Sequence, residues 1–274
     1  MPLPERPTAV ITGASSGLGR ALARELAARR ARILMADIDE EGAKETARII
    51  EKAGGEASFA RCDVSRLEDV MGLADEAYRA LGRVDLLVNN AGVAVGGPIG
   101  VVPIEDWAWV MGINLWGVIY GCHAFIPRLK EQGGGAILNV ASAAGLMSNP
   151  MLGPYNVTKA GVVALSETLF GELAPDRISV TVLCPTFFKT NIAGKGRTHG
   201  ADMGPERIEK LMARSPIQAD GVARSALSAV EAGQLYAVPH PDGRWFWRLK
   251  RASPEIFYAK VLPELRRRVG GAKK

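Results

Sequence analysis

The feature that most constrains this chain is an apolar run that ends in a cluster of glycines. Thr8-Ala9-Val10-Ile11-Thr12 leads straight into Gly13-Ala14-Ser15-Ser16-Gly17-Leu18-Gly19, where helical periodicity begins. A strand that becomes a helix within a few residues needs glycine where the backbone reverses or another group must come close. The alternation then repeats. Arg32–Asp37, 57–61, 84–89, Gly135–Val140, 179–183 and 235–238 read as strands. A first helix runs to about Arg30, and helical patterns follow over 41–52, Leu67–Leu81, 105–130, 155–173 and 219–232. Leu86-Leu87-Val88 is apolar without alternation, which suits a strand covered on both faces. The expected fold is α/β, a doubly wound parallel sheet of about seven strands with helices on both faces and right-handed crossovers.

No internal repeat or Pro/Gly/Ser-rich linker divides the 274 residues. Residues 1–243 read as one domain, with a looser loop over about 186–216, and 244–274 as a basic, aromatic tail with a helical pattern. The net charge of +5 is uneven: the tail carries +8 and the rest −3. A mildly acidic body argues against a whole-surface nucleic-acid footprint, and no nucleic-acid partner is expected. Cys62, Cys122 and Cys184 share no metal-ligand spacing and read as buried, reduced thiols; no metal is expected. Residues 1–7 lack the apolar core of a signal peptide. No apolar stretch approaches the ~20 residues a membrane span needs. A cytoplasmic location is the expectation.

The glycine turn follows a strand and opens a helix, so its backbone can approach a pyrophosphate held by free N–H groups and the helix dipole. Gly13, Ser15, Ser16, Gly17, Leu18 and Gly19 are the candidate phosphate-side residues. Taken alone, such a cluster also fits a plain tight turn. Asp37 ends the second strand 18 residues after Gly19. An acid there can accept hydrogen bonds from the adenosine ribose and would repel a 2′-phosphate, so NAD is favoured over NADP. Its ordinary alternative is a solvated turn acid.

Tyr155 and Lys159 stand four residues apart in a helical pattern, so phenol and ammonium share one face. An unperturbed phenol has a pKa of about 10, and bringing it to about 7–8 takes roughly 3–4 kcal/mol. One cation a few Å away at an effective dielectric of ~20 supplies about that much. A bare Tyr-x-x-x-Lys also occurs by chance.

In order along the chain stand the glycine turn, Asp37, Asn89-Asn90-Ala91-Gly92, Asn114, Ser142 and Tyr155/Lys159. This ordered set resembles the short-chain dehydrogenase/reductase family, in its single-domain, Rossmann-fold branch, from Thr8 to about Thr190. The resemblance implies an NAD-dependent oxidoreductase acting on CH–OH groups. Tyr155 would be the acid in reduction and the base in oxidation. Lys159 would lower its pKa and hold the nicotinamide ribose. Ser142 would hydrogen-bond the substrate oxygen. Asn114 would bend its helix and anchor a proton-relaying water. Asn90 and Gly92 would shape the cofactor cleft, Asp63 and Val64 would contact the adenine, and Pro185, Phe188 and Thr190 would lie by the nicotinamide carboxamide. The family's usual Pro-Gly is here Pro185-Thr186, so a strained, altered loop is expected if that position needs a positive φ.

Substrate contacts in such folds come from loops at the carboxyl ends of strands, here 93–98, 144–153 and 186–216. They carry Leu146, Met147, Met151, Leu152, Phe187, Ile192, Met203, Leu211 and Met212. An apolar secondary alcohol or ketone is expected. The tail, which contains Arg244-Trp245-Phe246-Trp247-Arg248-Leu249-Lys250-Arg251 and an amphipathic pattern over 254–269, fits a cap over the substrate loop, a helix docked on a neighbouring subunit, or an interfacial membrane helix. Family members assemble as dimers or tetramers, so a homo-oligomer is expected. The competing reading is a catalytically silent nucleotide-binding or scaffold protein, possibly membrane-associated through the tail.

Overall fold

The computed structural model describes residues 3–190, 192, 194, 196–200, 210 and 212–264. Seven parallel strands form its main sheet: β1 (Thr8–Thr12), β2 (Arg32–Asp37), β3 (Glu56–Arg61), β4 (Leu86–Asn89), β6 (Gly135–Val140), β7 (Ile178–Leu183) and β9 (Tyr236–Ala237). Their order is β3-β2-β1-β4-β6-β7-β9. The pleat of each strand places successive side chains on opposite faces. Val10, Leu34, Leu87 and Ile137 join one core with α3 (Leu67–Leu81), α5 (Gly117–Glu131) and α7 (Gly153–Glu172). Ala9, Ile11, Ile33, Met35, Val88 and Leu138 join another with α1 (Gly17–Ala27), α2 (Glu40–Lys52) and α8 (Ala219–Glu231). The sheet is therefore covered on both sides, which is why its strands read as continuous apolar runs.

The direction in which successive strands are laid down reverses between β1 and β4. The strand order passes leftward through β2 and β3 and then rightward from β4, so a crevice opens at their carboxyl ends. A second sheet, unforeseen from sequence, pairs β5 (Val95–Gly96) with β8 (Arg197–Thr198) in parallel. The long helix is not uniform: α4 (Ile104–Met111) and α5 are joined by a π-helical turn, Gly112–Trp116. The whole stretch Ile104–Glu131 is long and apolar enough by length and composition to cross a membrane, which corrects the reading that no such stretch exists. Isolated polar residues interrupt it in sequence, and 44% of its most apolar window is buried inside the protein.

Helix α7 starts at Gly153, two residues before the expected position, because Pro154 occupies the first turn, where its missing N–H costs nothing. Helix α6 (Ala143–Met147) was also unforeseen. After β9 the chain enters α9 (Pro241–Ala252) and then a helical stretch over Pro254–Ile256 and Phe257–Val261. A boundary at 243/244 falls inside α9. Fully buried Phe257 and nearly buried Leu262 belong to the α3/α5/α7 core, so the C-terminal segment packs onto the main body. Residues 265–269 of the amphipathic pattern lie outside the described residues.

Candidate active site

The turn after β1 is tight. Gly13 has φ +65°, and a Cβ there would lie 2.8 Å from Ala91 Cα, so only glycine lets β1 and β4 end side by side. Asn90 fastens the two ends, donating from Nδ2 to the carbonyls of Thr12 at 2.8 Å and Gly13 at 3.1 Å. Ser16 sits at the N-cap of α1 but gives no side-chain cap, and the first turn holds no acid. The leading amides of Gly17, Leu18 and Gly19 thus have no side-chain acceptor, and the dipole favours an anion there. Gly17 faces Thr190 across the crevice, its built Cβ 3.8 Å from Thr190 Cβ.

Asp37 caps the second strand as expected. Its Oδ2 accepts the Ser15 N–H at 3.0 Å, and its Oδ1 accepts those of Ile38 at 2.8 Å and Asp39 at 3.1 Å. A carboxylate has about four acceptor positions, so roughly one remains for a ribose hydroxyl. Arg20, the cation beside the glycine turn, is committed to Ser15 O at 2.6 Å, Thr46 Oγ1 at 2.9 Å and Glu45 at 3.0 Å. Uncapped amides and a carboxylate with spare acceptor capacity fit a dinucleotide. Asp63 turns back on Ser65, accepting its N–H at 3.0 Å and its hydroxyl at 2.7 Å. Val64 is buried against Gly117.

The acid/base group is assembled by α6 and α7. Ser142 is the N-cap of α6, its Oγ accepting the Ala144 N–H at 3.1 Å. Gly145 then crosses the backbone of α7 so closely that a Cβ would lie 2.5 Å from the Lys159 carbonyl carbon. A side chain there would lift Ser142 away from α7. Ser148 and Met151, both in the left-handed region, reverse the chain between the two helices. Ser142 consequently hydrogen-bonds the Tyr155 phenol oxygen. Lys159 is 3% exposed, donates to Val140 O at 2.8 Å, and lies 5.8 Å from the Tyr155 ring centre.

Burial dominates the electrostatics of this group. It pushes the Tyr155 phenol above its ordinary value, against the opposing Ser142 hydrogen bond. Lys159 is itself desolvated, and its ammonium donates to the Val140 carbonyl. Burial brings Lys159 down to about 8. Cys184, fully buried beside this group, has its thiol pushed up to about 12 by burial and stays protonated. All three cysteines are free and buried. Among the described residues no cluster of His, Cys, Asp and Glu could hold a metal.

Asn114 lies in the π-helical turn and is 0% exposed. Its Oδ1 accepts the Val93 N–H and its Nδ2 donates to Val93 O, each at 2.8 Å, and Nδ2 also reaches Thr158 Oγ1 at 3.3 Å. The amide thus ties the segment after β4 to α7. Gly92 sits between them, its built Cβ 3.3 Å from Asn114 Oδ1 and 3.6 Å from Lys159 Nζ. Thr186 lies outside the left-handed region, so the expected strain is absent. Pro185 O accepts the Ala143 N–H at 2.9 Å, joining this turn to the Ser142 loop. The Phe188 ring is buried in the α1/α8 core, leaving only its backbone to face a cofactor.

Three loops converge as foreseen. β5 pairs β8, and Gly97 N–H donates to Met151 O at 2.7 Å. Leu146, Met147 and Met212 are buried packing residues, whereas Phe187 is exposed and Met151, Leu152 and Ile192 are half-buried. Met203 and Leu211 lie outside the described residues. Sequence reasoning missed an ion cluster here: buried Asp106 of α4 bonds both Arg197 and His199. Arg197 also stacks on Trp109, 3.9 Å from the ring centre. The only sequence signal was rarity, since the chain has 3 histidines and two of them anchor loops.

A model of the family described as short chain dehydrogenase matches residues 7–200. The CLA biosynthesis dehydrogenase/reductase of Lactiplantibacillus plantarum is 31% identical over 249 residues, covering 85% of this chain and 87% of that one. The 3beta-hydroxysteroid dehydrogenase 1 of Eggerthella lenta is 41% identical over 187 residues, covering 68% and 72%. A Burkholderia phymatum short chain dehydrogenase/reductase solved in complex with NAD superposes with a TM-score of 0.84 at 35% identity, covering 92% and 95%. A Sphingobium yanoikuyae short-chain dehydrogenase in complex with NADPH superposes at 0.76 with 27% identity, also covering 92% and 95%.

Proposed function

The chain belongs to the short-chain dehydrogenase/reductase family, an oxidoreductase of CH–OH groups that works with NAD(P), and on that premise we propose that it transfers a hydride between NAD and an apolar secondary alcohol or ketone. The observation that carries this reading is the group formed by Ser142, Tyr155 and Lys159, in a fold that also presents Asp37 and the uncapped start of α1 at the carboxyl ends of its strands. When bound, the nicotinamide supplies or takes the hydride.

The protein's own part is protonic and positional. At neutral pH the raised phenol carries its proton, the state that protonates an alkoxide during carbonyl reduction. Ser142 holds the substrate oxygen against that phenol, and Lys159, with two ammonium protons left after its bond to Val140, is free to hold the nicotinamide ribose. Asp37 selects NAD, since its charge opposes a 2′-phosphate and Arg20 is already engaged. Exposed Phe187 and half-buried Leu152 support an apolar substrate, and the relative from Eggerthella lenta is named for a steroid. Within the same proposal, residues 1–243 form the catalytic body, the protein is cytoplasmic and homo-oligomeric, and the C-terminal segment braces α6. Lys250 and Tyr258 donate to Leu146 O and Met147 O at 2.6 and 2.8 Å.

The test is a panel of aromatic, steroid and acyl-chain secondary alcohols and ketones with NAD and NADP, run beside Tyr155→Phe. The variant should lose roughly 10²–10⁴-fold in turnover while binding NAD within about twofold. Unchanged turnover would remove Tyr155 from the mechanism, and cofactor binding with no turnover by the wild type would favour a silent nucleotide-binding protein.

A further inference from the structure

We infer that His240 is a positioning residue for the cofactor-facing turn after β7, acting through the backbone of Thr186. His240 is 1% exposed and stands at the N-cap of α9. Its Nδ1 accepts the Thr186 N–H at 3.2 Å, and its Nε2 lies 3.0 Å from Ile217 O. A carbonyl only accepts and an amide N–H only donates, so these partners assign the neutral ring with its proton on Nε2. One imidazole therefore ties the turn that follows β7 to the residue two positions before α8.

Four further contacts hold the same turn. Phe188 stacks on the imidazole, ring centres 6.3 Å apart and 26° between planes. The Thr186 hydroxyl donates to Asp242 Oδ1 at 3.4 Å, and its methyl lies over Gly243, where a Cβ would come within 2.8 Å. On the other side the Ala143 N–H donates to Pro185 O at 2.9 Å, one residue from Ser142. A threonine at the position the family leaves as glycine is thus docked onto the start of the C-terminal helix. The imidazole fixes how far that docking brings Pro185 toward Ser142 and the crevice. The inference rests on the reading of Pro185, Phe188 and Thr190 as nicotinamide-side residues.

His240→Asn and His240→Gln separate the two bonds in the full-length protein. The Asn carbonyl takes the place of Nδ1 and can still accept from Thr186, whereas the Gln amide reaches the place of Nε2 and can still donate to Ile217. The readouts are amide exchange of the peptide covering 183–189, the NAD dissociation constant by calorimetry, and Tm. His240→Gln should lose exchange protection at Thr186 and bind NAD roughly tenfold more weakly. His240→Asn should keep both within about twofold although its Tm also falls. If the two variants weaken NAD equally, or if His240→Gln binds NAD as wild type does, His240 is merely structural and the inference is overturned. Wild-type protein that does not bind NAD would instead defeat the cofactor reading, and the exchange data would still decide whether the imidazole holds Thr186.

Discussion

Lys159 shows how burial turns one residue into a sensor of pH. Its folded pKa of about 8 lies below the ordinary lysine value of 10.5. Between those values the unfolded chain keeps a proton that the folded one has shed, so stability rises with pH across that window. The gain is on the order of 3 kcal/mol. Denaturant titrations of the cofactor-free protein from pH 7 to 10.5 should show this rise in the wild type and its loss in Lys159→Met. The raised phenol sets a second expectation. Alcohol oxidation, which needs the phenolate, should climb through the alkaline range, while ketone reduction stays level near neutral pH and falls only on the alkaline side. At the far end of the crevice, Asp37→Ser removes one repulsive charge worth a few kcal/mol at an effective dielectric of ~20. The ratio of kcat/KM for NAD over NADP should fall by roughly 10–100-fold.

Among the elements, β8 is the one whose attachment can be tested most directly. Arg197 and His199 hold the Asp106 carboxyl below its usual range, so the cluster persists from neutral pH down past the ordinary carboxylate pKa. Asp106→Asn should raise KM for the alcohol about fivefold, as loss of a partly exposed ion pair permits, while NAD affinity holds. The longer elements were legible because each carries enough residues for its pattern to register: five residues in β1, all buried, and fifteen in α3 with Val70, Leu73, Ala74, Ala77 and Leu81 on one face. The two-residue strands β5 and β8 and the five-residue α6 are too short to show a period. Gly153-Pro154 is a helix start legible in the sequence, with proline in the first turn. Tyr155 and Lys159 were readable because they are local, whereas Asp106 meets Arg197 across 91 positions and His240 meets Thr186 across 54, distances no local pattern spans.

For the whole molecule, the outer faces of α5 and α7 matter most. Val157 on α7 and Trp116 just before α5 are each 48% exposed, and Phe170 is 39% exposed. Apolar area of this kind on long helices suits a symmetric interface. Trp116→Lys combined with Val157→Lys should lower the mass measured by light scattering to that of a smaller assembly, with the fold retained by circular dichroism. The π-helical turn between α4 and α5 has a consequence for that same rod. Each residue advances a helix by about 100°, so the extra residue it accommodates sets the rotational phase of α4 against α5. With it, Asp106 points to the β8 clasp while Phe125 points to the core. Deleting one residue from Gly112–Trp116 would leave a straighter rod whose front end is turned by roughly a quarter of a revolution. The carboxylate would then face away from Arg197, and Asn114 would lose its grip on Val93, although composition and hydropathy would scarcely change.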